Sequence, residues 1–412
     1  MKARRQTMDK DLILNISNIS LYSAFILYLV AVVPFSFSVR SSKKRAEKIG
    51  VTLTIVGFVL QIIYFITRWI AAGHAPVSNM YEFLTMFGIM MVGGFLVIYS
   101  IYKTPVLALF VLPIAMLLIA YASMFSRDVS PLIPALQSSW LAIHVITVTI
   151  SYGILSISCV AGLIYLLAAV SPKEKSIHSF FVEVIMYFVV IVIGFILTTV
   201  VMKDIAGYDD TYFFIDKNDS NSVQHYHLPA FVTQQDSLLV DHVSGSDYEP
   251  KERTDILKWS KIELPAVINA QKLNTVIWSI VIGTILYGIL RLIFKGRTLF
   301  SLIKPLTKRV NLSLMDEIGY RSVIIGFPLF ALGGILFASI WAQMAWSRYW
   351  GWDPKEVWAL ITFLYYAIFL HLRLGKGWEG RKSAWLAVGG LAIILFNVIA
   401  VNLIVAGLHS YA

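Results

Sequence analysis

A chain of 412 residues with 58% hydrophobic and only 14% charged side chains, at a mean hydropathy of +0.74, has too few charges to cover a soluble domain of that length. The composition is that of a polytopic membrane protein, and the net charge of +10 sits mostly in short loops between apolar segments rather than on a nucleic-acid-binding surface. A single cysteine, Cys159, excludes a disulfide framework, a C-x-x-C redox pair and a C-x-x-C-H haem attachment site in this chain.

A membrane span needs ~20 apolar residues. Ten windows qualify: 19–39, 49–72, 81–102, 105–125, 141–170, 180–201, 275–294, 322–342, 357–374 and 384–405. The expected fold class is therefore all-α, a polytopic transmembrane helical bundle of about ten spans. It divides into an N-terminal bundle of six spans over 1–201, an acidic loop domain over 202–274, and a C-terminal bundle over 275–412.

The loops carry charge by parity. The loop 40–48 ("RSSKKRAEK") has five Lys/Arg, and "FKGRTLFSLIKPLTKRV" and "RLGKGWEGRK" add more. Loops of the other parity are poor in basic residues: 73–80 has none and 126–140 only Arg127. The 202–274 stretch has twelve Asp/Glu against seven Lys/Arg. Basic loops face the cytoplasm, so 202–274 and the C-terminal "GLHSYA" are expected outside. The N-terminal "MKARRQTMDK" dissents with four basic residues, and the stronger 40–48 cluster is expected to orient the first span.

Along the chain, Cys159 lies inside the fifth span and reads as a small packing residue. The 202–274 stretch alternates Tyr, Phe and Ile with polar residues, as a small β-containing domain would. Its "HYH" puts His225 and His227 on one strand face, a metal-pair spacing with no third ligand beyond His242, so a solvated loop is the simpler reading. In the eighth span, Gly326, Pro328, Gly333 and Gly334 favour close helix packing over a hinge.

The segment "WAQMAWSRYWGWDPKEVW" holds five of the eleven tryptophans in eighteen residues, 341–358. Asp353, Pro354 and Glu356 form a helix start, with Asp as cap, Pro at the first helical position and Glu three residues after the cap. Trp346, Tyr349 and Trp350 are spaced i, i+3, i+4, which predicts one face of a short surface helix. Trp341 and Trp358 suit an interfacial aromatic belt. The remaining rings form an aromatic surface fit for a flat, apolar ligand, with Arg348 and Lys355 placed for its carboxylates.

His144, at the start of the fifth span, and His409, just past the tenth, lie at the depth of this loop. Two imidazoles beside an aromatic surface suggest axial ligation of haem iron, against an ordinary interfacial role for either one alone. His371 lies 14 residues beyond Val357, deep in the ninth span, where an ionisable side chain is a functional candidate. His74, in "GHAPVSNMYEF", has no assigned role.

These segments, together with "FLHLRL", "GWEGRKSAWLAV", "VNLIVAGLHSYA" and "SSWLAIHV", resemble the CcsA/ResC-type cytochrome c biogenesis proteins of System II, in the tryptophan-rich (WWD) haem-handling superfamily. The likeness is dense over 316–412 and patchier over 70–170. It implies delivery of haem b to the extracytoplasmic face of the membrane, that of a bacterial cell in the first instance. It also implies attachment to the C-x-x-C-H cysteines of apocytochrome c, with a ResB/CcsB-type membrane subunit and a thiol-reducing partner. By that likeness His144 and His409 match the external iron ligands, and His371 matches the in-membrane histidine of the haem path. Trp346, Arg348, Tyr349, Trp350, Trp352 and Asp353 fall in the haem-binding segment.

Ser347 and Arg348 depart from the family's frequent Gly and small or polar residue. The two spans around 202–274 look like an addition to a shorter family core. A pure exporter of haem or another amphipathic molecule, and a b-type electron-transfer subunit, are the alternatives.

Overall fold

A computed structural model describes residues 2–129, 132, 136–174, 176–215, 221–244, 247–250, 262–265 and 268–401. His409 lies outside the described residues. The helices are α1 (Lys2–Ser41), α2 (Lys44–Ala72), α3 (Met80–Tyr102), α4 (Ala108–Ala122), α5 (Ser139–Ala169) and α6 (Ile177–Thr199), then, after a strand-bearing stretch, α7 (Ala270–Ile293), the short α8 (Leu299–Ile303), α9 (Leu312–Phe330), α10 (Ala338–Trp346), α11 (Pro354–Lys376) and α12 (Arg381–Leu395). Among the described residues, six strands lie between α6 and α7: β1 (Asp210–Ile215), β2 (Asn221–Tyr226), β3 (Val232–Gln234), β4 (Leu238–Ser244), β5 (Asp247–Pro250) and β6 (Ile262–Leu264).

Ten helical segments among the described residues are long and apolar enough to cross a membrane, as expected. The eighth is longer than its apolar window. It runs unbroken from Leu312 to Trp346, α9 passing into α10 through a π-helical turn at Ala331–Phe337. Pro328 sits inside it, and the chain continues helically on both sides.

The chain forms two compact units. The first comprises residues 1–179 and 300–395. Its centre is α5, the most buried of the ten segments, which packs against α3, α9 and α12. Small residues set these crossings. A Cβ on Gly153 would stand 2.6 Å from the Met90 carbonyl carbon, so α3 and α5 approach only because none is there. Cys159 is buried here, as a packing residue would be. Where α2 leads into α3, Arg68 and Glu82 form an ion pair with Nε–Oε1 at 2.8 Å, both side chains 1% exposed. Arg68 also donates to the Arg127 carbonyl at 2.9 Å and lies over the Tyr81 ring. Glu82 accepts from the backbone N–H and hydroxyl of Ser78. This network fixes the loop between the two helices.

The second unit comprises, among the described residues, those of 180–299 and 396–401. Four strands form an antiparallel sheet in the order β2-β1-β4-β5, and β3 pairs with β6 in parallel. The sheet face is closed by Tyr212 against Tyr226, with ring centroids 4.7 Å apart. Buried Asn274 on α7 accepts from Phe231 N–H and donates to the Pro229 carbonyl, and the Trp278 indole donates to the same carbonyl. The 228–231 turn is thereby tied to the helix. His225 and His227 both face Asp209, at 3.5 and 3.6 Å, and His225 is more than half exposed. No group of three or more His, Cys, Asp or Glu side chains among the described residues is placed to hold a metal ion.

Candidate functional site

The tryptophan segment is fixed by a backbone reversal at its start and by local hydrogen bonding at its end. At its start, α10 ends at Trp346 and Ser347 takes a left-handed conformation with φ of 56°. That reverses the chain as a helix C-cap does. At its end, Asp353 caps α11, accepting from Lys355 N–H, with Pro354 at the first position. The Glu356 carboxylate reaches back to the N–H groups of Gly351, at 2.6 Å, and Asp353, at 3.2 Å. The expected capping box is present.

The expected short surface helix is not. Residues 347–353 are irregular, because the left-handed Ser347 ends the helix before Tyr349 and Trp350 can join its face. Trp352 is a second left-handed residue, with φ of 58°. This is an uncommon conformation for a bulky side chain, and it turns the Trp352 indole outward, 70% exposed. Tyr349 is 64% exposed. Trp350 meets Trp352 edge to face, at 5.9 Å, and its indole Nε1 is shut off from solvent without a hydrogen-bond partner. The Arg348 guanidinium folds over Gly351: a Cβ there would lie 2.6 Å from its Cζ. Asp353 is buried, its carboxylate engaged in capping.

His144 lies in the second turn of α5, whose start is capped by Ser138. Its ring stacks parallel on Trp341, with centroids 5.9 Å apart and planes 9° apart. Trp341 in turn meets Trp346 edge to face at 4.8 Å. Trp341 is only 3% exposed, so it is not the interfacial belt residue its position suggests. It is the floor under an imidazole. His144 Nδ1 also donates to the Gly333 carbonyl at 2.8 Å. A carbonyl only accepts, so this bond places the proton on Nδ1 and the lone pair on Nε2, the atom a metal takes. Ala75 and Val77, from the loop braced by Arg68 and Glu82, pack into the same cluster as Trp341, Leu141 and Val145.

The structure thus brings together His144, Trp341 and Trp346, with the 347–353 segment continuing from the last of them. His371 is elsewhere on its helix, five residues before Lys376, the end of α11, and its side chain is exposed. Three contributors carry no local sequence signal: Trp341 as a stacking partner, Gly333 as an acceptor, and the 75–77 loop. Arg68 and Glu82 do carry one, as charges inside apolar windows.

Comparison with known proteins identifies the family of the chain. The family described as "Cytochrome C assembly protein" matches residues 77–203 and 276–409. The chain is similar to the cytochrome c biogenesis protein CcsA of Trieres chinensis, 27% identical over 98% of this chain and 99% of that one. It is 30% identical to that of Trichodesmium erythraeum (strain IMS101), over 84% and 82% of the two chains. It is 28% identical to that of Cyanophora paradoxa, over 97% and 99%. The match passes over 204–275 but includes both spans that flank it, so those spans are part of the family core rather than an addition to it. The chain belongs to the cytochrome c assembly protein family, as a multi-pass membrane protein of the CcsA type acting in cytochrome c biogenesis.

Proposed function

We propose that this chain receives haem b at the face formed by His144 and the 341–358 segment, on the extracytoplasmic side of the cell membrane, and presents it to apocytochrome c. The observation that carries this reading is the seating of His144, stacked on Trp341 and hydrogen-bonded through Nδ1, so that Nε2 carries the lone pair a metal takes. His409 is the second iron ligand in this reading. The exposed rings of Tyr349 and Trp352, and the partnerless indole N–H of Trp350, suit a large flat substrate edged with acceptors. Arg348, exposed beside Gly351, suits a propionate.

In the attachment step each cysteine thiol of the C-x-x-C-H motif adds across a haem vinyl. One C–S and one C–H bond form, while the S–H bond and the vinyl π bond break, with no net redox change. The thiols must arrive reduced, which is the task of a thiol-reducing partner. This chain contributes positioning, holding the iron so that the vinyl edge meets the thiols. A ResB/CcsB-type membrane subunit completes the haem path at His371.

The test is a visible spectrum of the purified protein, alone and with that subunit, for the native chain and His144→Ala. A low-spin spectrum that His144→Ala weakens supports the reading. An unchanged spectrum in the variant would return the segment to an aromatic belt and favour an exporter. A low-spin spectrum retained without any cytochrome c assembly favours the b-type electron carrier.

A further inference from the structure

A helix that runs unbroken from Leu312 to Trp346 contains one irregularity, the π turn Ala331–Phe337, and that turn lies beside His144. A π turn accommodates one residue more than an α turn. Everything after it is therefore rotated by about 100° relative to a straight α-helix. Two features of the site depend on this. First, within the turn, the Gly333 carbonyl accepts from Ala338 N–H, five residues on, and also from His144 Nδ1 at 2.8 Å. Second, eight residues past Gly333, the Trp341 indole lies parallel to the imidazole rather than on another face of the bundle. At Gly333 the α5 backbone also comes close: a Cβ there would stand 2.9 Å from Val148 N and 3.0 Å from Thr147 Cβ.

We propose that this π turn is the positioning device of the site, and that Gly333 is its positioning residue. One inserted residue aims the Gly333 carbonyl at His144, which sets the tautomer. The same insertion rotates Trp341 under the ring, which sets the ring plane. Together they hold Nε2 in one direction before any ligand arrives. Donation from Nδ1 also makes Nε2 a stronger donor to a metal. The inference rests on the reading of His144 as an iron ligand, but its first readout does not need haem.

Deleting Leu332 tests it. That side chain is exposed, so its loss removes little packing while returning the helix to α register. In the haem-free, ¹⁵N-histidine-labelled protein, the native His144 signal, identified by its disappearance in His144→Ala, is expected to show the proton on Nδ1. In the deletion variant that single tautomer is expected to give way to a mixture. Haem titration should then show affinity weakened about tenfold or more, restored in part by free imidazole. Leu332→Ala, which keeps the register, should match the native protein in both measurements. If the deletion variant fails to insert, Gly333→Ala decides instead. It keeps the residue count but forces the helix away from Val148, and the tautomer should become mixed. A native His144 protonated on Nε2 overturns the proposal. So does a register-shifted or Gly333→Ala protein that keeps both the Nδ1 proton and native haem affinity. If His144→Ala itself leaves haem affinity unchanged, the ligand reading fails, and the tautomer measurement still decides the role of the turn.

Discussion

The imidazole of His144 and the indole of Trp341 lie parallel, 9° apart, although 196 positions separate them in the chain. One ring stands on α5 and the other on α10, and no local pattern links them. Trp341 is buried, so the pair is also part of the packing of the unit. Trp341→Ala should therefore act twice. It should destabilise the protein by about 3–5 kcal/mol, as large-to-small changes of a buried indole do, and it should loosen haem binding. Trp350→Ala should weaken haem binding with little loss of stability, because its ring is only half-buried. Thermal unfolding and haem titration of the two variants separate these effects. Equal loss of stability would show that the exposed part of the segment is structural.

The buried Arg68–Glu82 pair gives a second test. Glu82→Gln leaves a guanidinium inside the bundle with no counter-charge, which costs about 3–5 kcal/mol. Arg68→Met should cost a similar amount. The double variant Arg68→Met/Glu82→Leu should be more stable than either single one, since two unpaired charges are removed together. The loop that carries Ala75 and Val77 is braced by this pair, so the single variants should also weaken haem binding. Singles whose losses simply add in the double variant would mean the two side chains act independently.

How much of this was visible in the residues depends on the range of the forces involved. The ten spans follow from apolar length alone, which local composition reports. The start of α11 follows from Asp353, Pro354 and Glu356, because a capping box is made within four residues. The conformation of 347–353 does not follow. The spacing of Trp346, Tyr349 and Trp350 is helical, and nothing at Ser347 announces a left-handed residue in the way a glycine would. The pairing of His144 with Gly333 and Trp341 is a tertiary fact, set by how α5 crosses a π turn. The glycines of that turn do announce close packing, and the structure has it.

The strands should be separable from haem binding. The family match passes over 204–275, and His144, Gly333 and Trp341 all belong to the other unit. Replacing 210–265 by a short Gly/Ser linker is expected to leave the haem spectrum intact and to reduce engagement of apocytochrome or partner. Within the unit, Asn274→Ala strands the Phe231 N–H, while the Pro229 carbonyl keeps its bond from the Trp278 indole, and should cost about 1–3 kcal/mol locally. Protease sensitivity of the strands should rise while haem binding holds. Loss of the haem spectrum in the inserted deletion protein would make the strands part of the haem site.

Sidedness is the fourth expectation. Reporter fusions at Glu47, Pro305 and Gly377 should read cytoplasmic, and those at Ser78 and Gln235 external, since the basic loops share one parity. A cytoplasmic reading at Gln235 would invert the placement of the strand-bearing unit.

His371 supplies the last test. It lies on α11 in a stripe with Ile361, Leu364, Ile368 and Leu374, all exposed on the isolated chain. Their spacing of three and four residues puts them on one helical face. A face of this kind meets either lipid or another membrane helix. An imidazole among its apolar neighbours gains nothing from lipid, and an ionisable residue at that depth is expected to meet a partner or a ligand. The consequence is specific to the assembled state. His371→Ala should leave the stability of the isolated chain unchanged, because the side chain packs against little within it. It should also leave the ligand field of the His144 site unchanged. With the ResB/CcsB-type subunit present, the variant should deliver less haem to that site, and co-purification of the two subunits should persist. The measurement is the haem content of the isolated chain and of the complex, native against variant. A deficit already present in the isolated chain would place the role of His371 within this chain alone. Full haem content in the variant complex would remove His371 from the path altogether.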